Sequence, residues 1–156
     1  MSRPSKDEYF MALAELASTR TTCLKRAVGC ALVDAKGHLL SLGYNGVASG
    51  MSHCNDQAEA GFCDDGLPHA CSNWNAPSGQ DACEAVHAEQ NALLQCRDPW
   101  VIDTAYVTLS PCKACLKLLM NTSCRRIVYK LQHSDPWPQE QWEKMGREWV
   151  HYDDVL

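Results

Sequence analysis

The stretch TAYVTLSPCKACLKLL, residues 104–119, decides the fold, because it joins a strand directly to a helix. TAYVTLS (104–110) is rich in β-branched and aromatic residues, which favours a buried strand. Pro111 then opens a helix that we expect to run to about Asn121, since proline is tolerated in a first helical turn. A strand followed at once by a helix is typical of α/β proteins.

Strands and helices alternate on both sides of this stretch. Helices are predicted at residues 7–19, at 85–96 and from about Gln139 to Arg147; strands are predicted at 27–33, 38–44, 125–130 and 149–152 (WVHY). The first two strands are joined by the turn DAKG (34–37), which predicts a hairpin. The alternation predicts an α/β sheet with helices on both faces.

Length and composition indicate one ordinary domain spanning residues 1–156. The chain has 46% apolar and 21% charged residues, which is normal for a globular protein. It has no apolar run of membrane-spanning length, and MSRPSKDEYF has no signal-peptide core, so we expect a soluble cytoplasmic protein with no membrane partner. A net charge of −5 argues against a nucleic-acid polymer as partner but allows a small phosphorylated metabolite.

Ten cysteines stand out in this composition. Without a signal peptide they indicate metal or catalytic chemistry rather than disulfides. Cys30, Cys96 and Cys124 lie in apolar stretches, where we expect them to pack as small hydrophobic side chains. Residues 45–83 show little periodicity, and a loop of that length inside a compact domain needs something to fix it, for which bound metal is a candidate.

Two fragments carry the chemistry: His87-Ala88-Glu89 and Pro111-Cys112-Lys113-Ala114-Cys115, each at the start of a predicted helix. Cys112 and Cys115 share one helix face, and the helix dipole there favours the thiolate that binds metal. His87 can add a neutral imidazole. Three ligands of this kind leave the fourth tetrahedral position to water, which is typical of a catalytic zinc.

Glu89 has the right place for a proton carrier. It does not share a lateral helix face with His87, but both can converge beyond the helix N-terminus, with Glu89 near the zinc water. The pattern H-x-E…P-C-x-x-C is the known signature of zinc nucleobase deaminases, in which hydroxide attacks the ring and the glutamate carries protons. For cytosine, attack is at C4, and Glu89 would protonate N3 and the departing amino group. A zinc knuckle without chemistry is the alternative, but it leaves Glu89 unexplained.

A family resemblance extends beyond the signature. The matching segments are YFMALAELASTRTTC (9–23), VGCALVDAKGHLLSLGYNG (28–46), HAEQNALLQC (87–96), YVTLSPCKACLKLL (106–119) and RRIVY (125–129). From Tyr9 to Tyr129 the chain resembles the deoxycytidylate (dCMP) deaminase family, with 45–83 matching only loosely. The resemblance implies a three-layer α-β-α fold with a central five-stranded mixed sheet, as in cytidine deaminase, and the conversion of dCMP to dUMP. GYNG (43–46), followed by Gly50, separates this group from tRNA adenosine and free cytidine deaminases.

The resemblance also implies ligands and assembly. Family members are commonly hexamers that dCTP activates, with Mg²⁺ accompanying the triphosphate, and that dTTP inhibits. The implied effector site comprises Lys25, Gly43, Tyr44, Asn45, Gly46 and Gly50, and the implied substrate contacts are Asn45, Ala88, Ser110 and Arg26. Asn45 matches a sugar-hydroxyl contact, although a turn residue in left-handed geometry is the alternative. Lys25 and Arg26 could bind a substrate or effector phosphate, or simply be solvated. No role is carried over to His133, since many members have a tyrosine near that place.

A second, structural zinc is also implied by some family members. Its predicted ligands are Cys23, Cys54, Cys71 and Cys83, with Cys63, His53 and His69 as rivals. Buried thiols are the alternative at each position, although a polar loop offers little core in which to bury them. Two other functions stay open: deamination of another small nucleoside, nucleotide or base, and a non-catalytic zinc-stabilised interaction module.

Overall fold

A computed structural model gives the structure of residues 2–23, 26–51 and 85–156. Its helices are α1 (Lys6–Ser18), α2 (Ala88–Gln95), α3 (Lys113–Met120) and α4 (Trp137–Lys144). Its strands are β1 (Gly29–Asp34), β2 (Leu39–Tyr44), β3 (Gly46–Val47), β4 (Ala85–Val86), β5 (Ile102–Leu109), β6 (Arg126–Leu131) and β7 (Glu148–His151). Short 3₁₀ helices cover Pro99–Val101 and Tyr152–Val155.

Five strands form a mixed central sheet in the order β2-β1-β5-β6-β7. The β1–β2 hairpin and the β1–β5 pair are antiparallel, whereas β5, β6 and β7 are parallel. The register aligns Cys30 with Val107, Val107 with Tyr129, and Tyr129 with His151. The predicted fold class is therefore confirmed, including the number of strands and their mixed direction.

The two faces of the sheet have separate apolar cores. Cys30 and Leu32 of β1 belong to the core covered by α2, α3 and α4, and Trp142 of α4 is fully buried there. Ala31 and Val33 lie in the other core, against α1. This period-two alternation is what a strand buried on both faces requires, and it confirms helices on both sides.

Two glycines allow helices to lie unusually close to the sheet. A Cβ on Gly29 would lie 1.7 Å from the carbonyl oxygen of Ala14 in α1. A Cβ on Gly43 would lie 2.2 Å from the carbonyl oxygen of Ala88 and 2.4 Å from the amide nitrogen of Ala92, both in α2. Any larger residue at position 43 must therefore displace α2, which begins directly after His87.

The boundaries differ from the predicted ones where tertiary pairing intervenes. Helix α2 starts at Ala88 rather than at residue 85, because Ala85–Val86 pairs with Gly46–Val47 in a second, two-stranded sheet. Helix α4 covers 137–144 rather than 139–147, and Gly146, at φ 75°, directs the chain away from the helix axis.

The packed thiols follow the prediction in part. Cys30 and Cys124 are buried, whereas Cys96 is only partly buried against the core.

Over the described ranges, no helix combines the length and apolarity needed to cross a membrane. Of the predicted loop 45–83, residues 52–83 lie outside the described residues.

Candidate active site

Two helix N-termini meet at the site. His87 is the N-cap of α2 and Cys112 is the N-cap of α3, each with an extended backbone. The amide of His87 donates to Oε1 of Gln90 (2.8 Å), which fixes the first turn of α2. The positive ends of two helix dipoles therefore point to one place, which favours thiolates and carboxylates there.

The predicted metal ligands come together as a triad. Nδ1 of His87 lies 3.4 Å from Sγ of Cys112 and 3.3 Å from Sγ of Cys115. All three candidate ligand atoms lie within 4.8 Å of one another. Tetrahedral zinc, with bonds of about 2.0 Å to nitrogen and 2.3 Å to sulfur, would separate such atoms by about 3.6 Å. The donor set and spacing therefore fit zinc, and within the described residues no fourth protein group joins the cluster.

Proton sharing within the triad leaves one thiolate ready for metal. A hydrogen bond from Cys115, opposed by burial and supported by His87, lowers the pKa of Cys112 to about 3. The same hydrogen bond, together with burial, raises the pKa of Cys115 far above its ordinary value. The hydrogen bond with Cys112 likewise raises the pKa of His87, against burial. Metal binding would therefore release protons from Cys115 and His87.

Glu89 lies buried beside the triad. Its side chain is 4% exposed. Burial raises the pKa of Glu89, and the negative charge of Cys112 adds to this, against a hydrogen bond from the backbone amide of Glu89 itself. A buried carboxyl group with a raised pKa can take up a proton and return it near neutral pH.

Contacts from β2 hold α2, and with it the N-terminal end that carries His87 and Glu89, in place. The hydroxyl of Ser41 donates to the carbonyl of Ala92 (2.7 Å), and Nδ2 of Asn91 donates to the carbonyl of Tyr44 (2.8 Å). The sequence alone predicts no role for Ser41, Gln90 or Asn91. Gln90, three residues after His87, has capping-box spacing and could have been found; the other two depend on tertiary contacts.

Asn45 lies buried between the start of β1 and the end of β2. Its Oδ1 accepts from the amide of Val28 (2.9 Å), and its Nδ2 donates to the carbonyl of Arg26 (2.8 Å). Its backbone is not left-handed, since the described residues with positive φ are all glycines. Asn45 therefore does not use the left-handed geometry that a turn residue tolerates, and its side chain fixes the segment that presents Arg26.

Arg26 is exposed, and its positive charge makes the smallest of the contributions to the pKa of His87, lowering it against the dominant effect of Cys112. Ala88 is fully buried under Gly43. Ser110 is 2% exposed and accepts a hydrogen bond from the amide of His133 (2.7 Å).

The remaining predicted residues are only partly placed. Gly43 packs against α2, Tyr44 ends β2, Gly46 pairs with Val86, and Gly50 has φ 89°. Cys23 is half-buried. The other predicted residues, Lys25, Cys54, Cys71 and Cys83 with the rivals Cys63, His53 and His69, lie outside the described residues.

Comparison with known proteins identifies the family of this chain. The sequence profile of the "Cytidine and deoxycytidylate deaminase zinc-binding region" matches residues 4–131. The chain belongs to this deaminase family. The family match covers His87, Glu89, Cys112 and Cys115 together.

Relatives of this deaminase-family chain include phage and cellular proteins. It is 38% identical to the deoxycytidylate deaminase of Mycobacterium phage D29, over 83% of this chain and 97% of the phage protein. It is 34% identical to the deoxycytidylate deaminase of Schizosaccharomyces pombe, over 85% of this chain but only 39% of the yeast protein. The dCMP deaminase of cyanophage S-TIM5, solved with dCMP and dUMP, superposes with a TM-score of 0.70 at 25% identity, covering 97% of this chain and 99% of the other.

Proposed function

We propose that this deaminase-family chain hydrolyses dCMP to dUMP and ammonia with a zinc ion bound by His87, Cys112 and Cys115. The observation that carries the proposal is the convergence of these three ligand atoms within 4.8 Å beside the buried Glu89. The phage D29 relative, matched along 97% of its length, is a deoxycytidylate deaminase, which supports this substrate.

The residues at the two helix N-termini have two separate roles, metal binding and proton transfer. His87, Cys112 and Cys115 would bind zinc, which supplies an activated water by lowering its pKa from about 15.7 to roughly 7. Glu89 would take one proton from that water and donate it to N3 of the cytosine ring as the water oxygen bonds to C4. It would then take the second proton from the new C4 hydroxyl and pass it to the amino group, so that the C4–N bond breaks, ammonia leaves and the C4 carbonyl of uracil remains. Because Glu89 is buried, bulk solvent has little access to its carboxyl group. Its proton would therefore move only between the activated water and the substrate.

Residues around the triad would bind the rest of the nucleotide. We assign the sugar to the neighbourhood of Asn45 and the 5′-phosphate to Arg26, an exposed cation whose backbone carbonyl accepts a hydrogen bond from Asn45. Since Oδ1 and Nδ2 of Asn45 each already make a backbone hydrogen bond, a sugar contact would use their remaining capacity. Ala88 and Ser110 complete the proposed substrate contacts.

Regulation and assembly extend the same proposal. We infer activation by dCTP with Mg²⁺, inhibition by dTTP and a homo-hexamer, with an effector site at Lys25, Gly43, Tyr44, Asn45, Gly46 and Gly50. A second zinc with Cys23, Cys54, Cys71 and Cys83 and a cytoplasmic location stay predictions. Only Cys23 of those four ligands falls within the described residues.

Ammonia release from dCMP, deoxycytidine and dCTP tests the function. We expect turnover of dCMP in preference to the other two, with about one catalytic zinc per chain. Turnover of a different base or nucleoside with none of dCMP would refute the substrate assignment. In Glu89→Gln, zinc should stay bound while turnover is lost, because the amide cannot carry the proton.

The matched control is Glu140→Gln, at an exposed position of α4, which should keep full activity. A zinc-stabilised interaction module without catalysis is the competing function. It predicts no turnover of any of these compounds by the zinc-loaded wild type. Normal dCMP turnover by Glu89→Gln would instead refute the proton-carrier role.

A further inference from the structure

The loop of residues 132–136 lies at the same sheet edge as Cys112. It follows β6, whereas Ser110 and Cys112 follow β5, and β5 and β6 are parallel neighbours. Their carboxyl ends therefore share one edge. In α/β sheets, ligands bind in the crevice outside the carboxyl ends of parallel strands, so this loop stands where a substrate would enter.

Ser110 attaches the first part of this loop. Its Oγ accepts from the backbone amide of His133 (2.7 Å), and its own amide donates to the carbonyl of Leu131 (2.8 Å). Ser110 is 2% exposed. Loss of its hydroxyl would leave the amide of His133 without that partner, which costs more than an exposed hydrogen bond would.

Two local hydrogen bonds order the loop itself, and one contact beyond its end reaches the other side of Cys112. Nδ1 of His133 accepts from the amide of Asp135 (3.2 Å), and Oδ1 of Asp135 accepts from the amide of Trp137 (3.0 Å). The ammonium of Lys113 lies 4.7 Å from the ring centroid of Trp137. Since Ser110 precedes Cys112 by two residues and Lys113 directly follows it, the loop is tied to both flanks of this proposed ligand.

We propose that the side chains of Ser110 and His133 act as positioning groups, which fix the 132–136 loop beside Cys112 and thereby strengthen substrate binding. The Ser110 hydroxyl is assigned to the loop, so the substrate contact proposed above for Ser110 is left to its backbone, which Ser110→Ala retains. This inference rests on the proposed function. A loop already ordered in the free protein loses little conformational entropy when substrate binds. Glu89 and His87 lie at the start of α2, and Cys112 and Cys115 lie at the start of α3, so none of the reacting groups belongs to the loop. Loosening of the loop should therefore raise KM for dCMP and leave kcat nearly unchanged.

The hydrogen bond from the amide of His133 to the hydroxyl of Ser110 is called the bridge below. Ser110→Ala removes it, and Ser123→Ala is the matched control. The hydroxyl of Ser123 also bonds to backbone, donating to the carbonyl of Ile102 (2.6 Å), but at the opposite edge of the sheet. Ser110→Ala should raise KM roughly tenfold, as loss of a buried hydrogen bond would, with kcat within about twofold. Ser123→Ala should change neither constant. An unchanged KM in Ser110→Ala overturns the proposal.

His133→Asn and His133→Ala separate positioning from direct contact. Asparagine can accept the amide of Asp135 through its side-chain oxygen, as in an Asx turn, whereas alanine cannot. We expect His133→Asn to keep a near wild-type KM and His133→Ala to raise it. An equal rise in both would mean that the imidazole itself contacts the substrate, which overturns the positioning role.

Amide hydrogen exchange examines the bridge independently of activity. Exchange across residues 132–136 should be faster in Ser110→Ala than in the wild type and unchanged in Ser123→Ala. If the wild type fails to deaminate dCMP, the proposed function fails while the exchange still reports on the bridge. Unchanged exchange overturns the bridge even in an active enzyme, and faster exchange with unchanged KM overturns its role in binding.

Discussion

Gly43→Ala should damage the proposed zinc site through the backbone of α2. The new Cβ would lie 2.2 Å from the carbonyl oxygen of Ala88 and 2.9 Å from the Cα of Ala92. Ordinary contact between such atoms needs about 3.5 Å, so α2 must move by about 1 Å. Metal–ligand distances tolerate about ±0.2 Å, and a displacement near 1 Å at reacting groups costs roughly 100-fold in rate. His87 and Glu89 both move with α2.

Gly29→Ala is the matched control, because its Cβ would meet α1 on the opposite face of the sheet, 1.7 Å from the carbonyl oxygen of Ala14. Both variants should lose about 1–3 kcal/mol of folding free energy by overpacking, or more at Gly29. Zinc per folded chain and dCMP turnover, measured below the Tm of each variant, should fall in Gly43→Ala alone. Full zinc content and wild-type turnover in folded Gly43→Ala would refute the reasoning.

Three further predictions concern the ligands, acid stability and regulation. Cys115→Ser should lose zinc and turnover together, whereas Cys96→Ser should keep both, as metal counting will show. Hydrogen bonds from Arg126 and Tyr106 outweigh burial and lower the pKa of Asp7. The resulting stability is fully present above about pH 4 and is lost progressively as the pH falls through the lowered pKa of Asp7. Asp7→Asn should therefore cost about 2 kcal/mol in urea unfolding at pH 7 and progressively less as the pH falls below about 4. Mg·dCTP should lower the half-saturating dCMP concentration and dTTP should raise it; hyperbolic kinetics indifferent to both would contradict regulation.

The helix boundaries show where local sequence is enough to predict secondary structure and where it is not. The start of α1 has a complete capping box, Ser5 with Glu8, and the predicted helix 7–19 agrees with Lys6–Ser18 to one residue at each end. Ala85–Val86 also favours a helix by pattern, but its pairing with Gly46–Val47 prevents this. No local signal predicts that pairing, because the partners are distant in sequence.

Gly43 illustrates the same limit within the site. From sequence it belongs to a glycine-containing segment that could approach a phosphate, whereas in the structure its missing Cβ leaves space for α2. A glycine indicates that another group can approach the backbone closely at that position. Only the tertiary arrangement identifies the group that approaches.

The sequence by itself determined the candidate site, a histidine, a glutamate and two cysteines at the spacing of the family signature, and the order of strands and helices that carries them. The tertiary structure alone decided that Nδ1 of His87 is the imidazole atom nearest both sulfurs, that Glu89 is buried, and that Ser110 connects to His133. The physical reason is that ligand identity is a local property, whereas burial and contact depend on which distant segments the sheet brings together.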